Sequence, residues 1–200
     1  MRRKAFDKTA SIGGAIVAVA LLVAGGLLIW GYSFASSTVH DQLAQQKIFF
    51  PPAAAFAHPK AGTEITPSMI PTVSQYAGQQ VLTGPQAEVF ANDFINVHLS
   101  EMPMHGVYAD ISAAAMAQPN NKALTGLVDT SFRGTTLRAM LLEAYGFWTF
   151  GQIALWAGIA SFVLAGLMLI LVGFGLLHAR RVPAEAELFA PRSVPVGAPA

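Results

Sequence analysis

"TASIGGAIVAVALLVAGGLLIWGYSFA", residues 9–35, runs for 27 positions without a charge. A helix needs about 20 apolar residues to cross the hydrocarbon core of a bilayer. This stretch therefore reads as a transmembrane helix. A second run, "AYGFWTFGQIALWAGIASFVLAGLMLILVGFGLL" at residues 144–177, gives 34 uncharged positions, long enough to span with tilt or to protrude at one end.

The composition agrees with a membrane protein. Hydrophobic residues make up 54% of the 200 and charged ones only 12%, about half the globular average. A net charge of +1 with no basic stripe argues against a nucleic-acid partner. With no cysteine there is no disulfide framework, thiolate metal site or cysteine nucleophile.

Orientation follows from the flanks. Arg2, Arg3, Lys4 and Lys8 precede the first span, and His178, Arg180 and Arg181 follow the second, so the positive-inside rule puts both termini in the cytoplasm. Residues 36–146 then lie outside, with five basic against eight acidic residues. Trp30, Tyr32 and Phe34 at one exit and Tyr145, Phe147, Trp148 and Phe150 at the other form an outer aromatic belt. The basic start and the small-x-small Ser33-Phe34-Ala35 also fit a cleaved signal peptide. The apolar core is, however, about twice the usual length of a signal sequence.

Neither span contains Asp, Glu, Lys, Arg or His, the residues that mark ion and proton paths inside a bilayer. What they offer is small residues at helical spacing: Gly14 and Ala18, Ala20 and Ala24, then Ala157, Ser161 and Ala165. Such rows let helices approach closely, either each other or a partner subunit.

Beyond the first span, "SSTVHDQLAQQKIFFPP" keeps a helical period, with Val39, Leu43, Ile48 and Phe50 near one stripe. A stalk helix is expected to end at Pro51 and Pro52, with Phe49 and Phe50 buried under the head. Leu137, Met140, Leu141, Ala144 and Trp148 give the approach to the second span a matching amphipathic stripe. Counted from the aromatic belts, Asp41 and Arg138 fall at similar heights and are expected to form a structural ion pair. Between the stalks, short helical pieces are expected at 67–70 and 71–76. A better helix starts at Pro85, with Phe90, Phe94 and Val97 buried and Pro103 as its stop, and a third covers "YADISAAAMAQ".

The expected fold is all-α: two long antiparallel transmembrane helices extending outside the bilayer, with a small helical extracytoplasmic head between them. By position this gives a basic N-terminus (1–8), transmembrane helix 1 (9–35), a stalk (36–50), the head (51–128), a second stalk (129–146), transmembrane helix 2 (147–177) and a disordered cytoplasmic tail (178–200).

The one constellation with metal-binding chemistry is "HLSEMPMH". His98, Glu101 and His105 offer nitrogen and oxygen donors for a divalent ion, and Met102 and Met104 offer thioethers for Cu(I). Pro103 interrupts the helix between Glu101 and His105, and the pattern is not HExxH. No GxSxG elbow and no phosphate-cradling glycine loop occurs. No catalytic residue and no cofactor is therefore expected.

At "VHDQLAQQKIFFPP", "YAGQQVLTGPQAEVFANDFINVHLSEM" and "FRGTTLRAMLLEAYGFWTFGQIALWAG" the chain resembles a family of uncharacterised actinobacterial membrane proteins with two spans. The resemblance covers most of residues 5–181. It implies the two-span topology and an external helical region, and it brings no catalytic residues. Some relatives are labelled ring-opening dioxygenases, but the iron-binding triad that such chemistry needs is not supplied here. The expectation is a non-enzymatic accessory or scaffold component of a cell-envelope membrane complex, with the lipid bilayer and a membrane protein or second copy as partners. An extracytoplasmic ligand- or copper/zinc-binding module is the alternative.

Overall fold

The computed structural model describes residues 2–60, 62–183 and 186; the rest of the expected tail lies outside the described residues. Among the described residues the named elements are all helical and none is a β-strand; Phe49 and Gln80 form an isolated antiparallel bridge. Two helices dominate: α1, Arg3–Gln46, and α6, Lys122–Arg181. Both are long and apolar enough to cross a membrane, and only 11% and 6% of their most apolar windows is buried. A core helix of a soluble protein would hide far more. Between them come α2 (Ile70–Val73), α3 (Gly84–Val89), α4 (Asn96–Glu101) and α5 (Tyr108–Ala117).

Contacts divide the chain into two units, Met1–Trp30 with Ala154–Ala200, and Gly31–Ile153. In the first, α1 buries Ser11, Ala18 and Gly25 at seven-residue intervals, and α6 buries Gly158, Ala165 and Ala179. A seven-residue repeat is the signature of left-handed side-by-side helix packing. Small residues at this seam bring the backbones close. A Cβ on Gly14 would meet Val172 at 2.9 Å, one on Gly25 would meet Phe162 at 3.1 Å, and one on Gly158 would meet Ile29 at 3.0 Å. Gly14, Ala18 and Ala165 therefore lie on this seam, Ala157 and Ser161 are partly buried, and Ala20 and Ala24 are exposed. Ser161 Oγ returns its hydrogen bond to Ala157 O at 2.9 Å, within its own helix.

The second unit has a hydrophobic core of its own. Val39 and Leu43 from α1 and Leu141 from α6 pack with Phe50, Met69, Val73, Val81, Phe90 and Ile95. Helix α1 ends at Gln46, five residues before the first of the expected prolines, because Lys47 turns the chain with φ of 53°. Past that point the backbone is extended, so consecutive side chains face opposite ways. Phe50 is 2% exposed while Phe49 is 55% exposed, which corrects the expectation that both are buried. The extended piece pairs with residues 78–81: Phe50 N donates to Gln79 O and Val81 N to Ile48 O, both at 2.9 Å. Gln80 Nε2 donates to Ala44 O at 2.9 Å, a second and shorter bond to a helix-end carbonyl that Lys47 N reaches at 3.4 Å.

Helix α3 opens with a capping box in which Thr83 and Gln86 satisfy each other's backbone, and Pro85 occupies its first turn. Gly84 sits against Trp148, whose Cβ and Cγ would lie 2.5 Å from any Cβ there. After α3 the chain does not continue as an α-helix. Phe90–Ile95 is a π-helical segment, which widens the turn. The buried positions accordingly recur every four residues, at Ala87, Ala91, Ile95 and Leu99, with Phe90 beside them. Phe94 and Val97, expected in this stripe, are only partly buried.

Candidate functional site

The parts of α1 and α6 that belong to the second unit line a groove. From α1, Ala35, Val39 and Leu43 form a buried row at four-residue spacing. Their period leaves Thr38, Gln42 and Gln46 on the groove's rim. From α6 come Met140, Glu143, Ala144 and Phe147, and the space enclosed is about 300 Å³. A second hollow of about 370 Å³ adjoins it, lined by Tyr108 and by Phe132, Thr136, Met140 and Glu143 of α6. The two share Met140 and Glu143. Tyr108 and Phe132, both in the wall of this second hollow, meet at 5.7 Å between ring centroids with their planes tilted by 55°.

The result is an apolar trough with one carboxylate where its halves meet. Phe132 and Met140 are each 54% exposed and Phe147 is 40% exposed, unusually high for aromatic and thioether side chains flanking a core. The sequence pattern puts Met140 and Ala144 in one buried stripe and Phe147 in the aromatic belt, and it does not single out Tyr108, Phe132 or Glu143. The signal was present: Phe132, Thr136, Met140, Glu143 and Phe147 recur at helical spacing on a face distinct from Leu141.

The expected pair of Asp41 and Arg138 does not form. Two residues beyond Val39, Asp41 is rotated about 200° from the buried row and is exposed. Arg138 instead donates from Nη2 to Asn92 Oδ1 of the π-helical segment at 2.9 Å, and its Nε is buried without a partner. Among the described residues Arg133 forms an ion pair with Asp129, and His178 Nε2 lies 3.8 Å from an Asp7 carboxylate oxygen.

The proposed metal donors are not brought together either. Among the described residues no group of three or more His, Asp or Glu side chains is placed to hold a metal ion. His98 Nδ1 donates to Phe94 O at 2.9 Å, and its ring stands edge-on to Phe94 at 4.7 Å. Met102 packs on the core, while Glu101, Met104 and His105 are exposed. The reason lies in the backbone: Met104, His105 and Gly106 take φ of 56°, 52° and 69°, a left-handed run that reverses the chain. The "PMHG" sequence is thus a turn. Gly106 is required there, since a Cβ would collide with the backbone carbonyl of Leu99. Ser131 Oγ, fully buried, donates to Gly106 O at 2.6 Å and ties the turn to α6.

No family model, curated protein or solved structure matches the chain.

Proposed function

We propose that the protein is a non-enzymatic integral membrane protein of the cell envelope, an accessory or scaffold subunit whose extracytoplasmic head binds a membrane-protein partner. The observation that carries this reading is the exposed trough around Met140 and Glu143. Monomeric proteins seldom leave a contiguous apolar surface of this kind uncovered without a use for it. The partner that fits is a helix with apolar side chains and one basic residue.

The topology belongs to the same proposal: both termini cytoplasmic, residues 36–146 outside, and two antiparallel spans. Antiparallel pairing is supported by the order of contacts, in which Ser11 meets Gly175, Gly14 meets Met168 and Val172, Gly25 meets Phe162 and Ile29 meets Gly158. Because the chain has no cysteine, a single introduced thiol reports its side of the membrane without background. Thr63→Cys in intact cells should react with an impermeant maleimide, and Thr9→Cys should not. The partner is sought by photocrosslinking from position 140, followed by purification in mild detergent. A discrete adduct that weakens in Glu143→Lys supports the docking reading; a solitary monomer in both variants refutes it. The dispersed donors favour no metal-handling role.

A further inference from the structure

Where α1 begins and α6 ends, the first unit forms a crevice of about 430 Å³ lined by Lys4, Lys8 and Arg180, with Leu176 and Ala179 on its apolar side. Three cations around one opening repel each other unless an anion joins them. Among the described residues none of the three has a carboxylate within ion-pair distance. The acid on the same turn of α1, Asp7, is directed elsewhere: its carboxylate is mostly buried and lies 3.8 Å from His178 Nε2. The apolar surroundings are equally informative. Leu176 is 44% exposed in the wall, and Phe6 and Leu177 are 45% and 50% exposed on the helices that form it.

We propose that this crevice seats the phosphate of an anionic phospholipid. Lys4, Lys8 and Arg180 hold the headgroup, and the acyl chains lie along the exposed apolar faces of α1 and α6. Basic pockets between membrane helices take anionic headgroups for this reason: attraction to the phosphate and apolar contact with the chains act on one molecule. A free phosphate would use only the first of these. The inference rests on the reading of α1 and α6 as membrane spans.

The test uses the full-length protein in mixed micelles, with bound lipid counted by native mass spectrometry. Phosphatidylglycerol should be retained in preference to phosphatidylcholine. Lys4→Gln, Lys8→Gln or Arg180→Gln should each lower that preference about five-fold and the triple variant about 100-fold, while Lys8→Arg preserves it. Equal retention of both lipids by the wild type, or an undiminished preference in the triple variant, overturns the site. Displacement of the lipid by an equimolar amount of inorganic phosphate overturns the lipid assignment in favour of a small anion. Alkaline carbonate extraction separates the two readings. Release of the wild-type chain would sink the membrane reading and the lipid site with it, whereas firm retention with no lipid preference sinks the site alone.

Discussion

Replacing Gly106 by alanine tests the turn that carries α5, and with it Tyr108, to the edge of the trough. Gly106 has φ of 69°, where an alanine costs about 1–2 kcal/mol, partly offset because alanine also restricts the unfolded chain. Its new Cβ would strike the carbonyl of Leu99, which is helix backbone and yields poorly, and would sit 3.0 Å from Leu99 Cβ. Overpacking of that kind costs a further ~1–3 kcal/mol. Any shift that relieves it loosens the buried bond from Ser131 Oγ to Gly106 O, worth about 1 kcal/mol. Gly78 supplies the control, since its φ of 70° is nearly the same but nothing lies within 4 Å of its missing Cβ. Gly78→Ala should therefore cost about 1 kcal/mol and Gly106→Ala about 3–5 kcal/mol. At about 4 °C per kcal/mol, the midpoints fall by roughly 4 °C and at least 12 °C in thermal unfolding followed by near-ultraviolet circular dichroism in detergent. Equal falls for the two variants would refute the claim that contact with Leu99, rather than backbone conformation, makes this glycine necessary.

Three further outcomes rest on the same geometry. Lys47→Gly should raise the midpoint of unfolding by about 4 °C, because glycine adopts the left-handed cap of α1 without the side-chain penalty of about 1 kcal/mol. Asn92→Ala removes the acceptor facing Arg138 and should cost about 1.5–3 kcal/mol, read by the same melt; no change would mean that solvent already serves the guanidinium. Titration with Zn(II) or Cu(I) should give the same heats for the wild type and the His98→Ala/His105→Ala double variant, and a loss of heat in that variant would restore the metal hypothesis.

The sequence made the apolar helices legible because composition and length alone decide them. Places where the backbone departs from regularity were harder to read. Lys47 ends α1 in a conformation usually assigned to glycine or asparagine, so the visible stop signal was the proline pair four residues on. The π-helical turn at Phe90–Ile95 changes the period of burial from 3.6 to four residues, which moved the inner face from Phe94 and Val97 to Ala91 and Leu99. Asp41 and Arg138 were matched by height alone, and rotation about the helix axis decided against them. His98 and His105 are only seven residues apart in sequence, but three left-handed residues cannot be inferred from a Pro-Met-His-Gly string when only the last of them favours that conformation. The trough was missed because one helix was assigned one apolar face.

The amide of Gln80 that closes the end of α1 has a consequence in time. The carbonyl it serves belongs to Ala44, thirty-six residues earlier in the chain. A ribosome adding about 5–20 residues per second makes Ala44 some seconds before the group that completes its helix. Arg138 and Ser131 reach back in the same way, to Asn92 across 46 residues and to Gly106 across 25. Until the start of α6 has emerged, the segment between the long helices lacks its last wall, Leu141 included. During synthesis the segment between the long helices must therefore wait, open and with apolar side chains uncovered, for α6, and a chaperone has that interval in which to act.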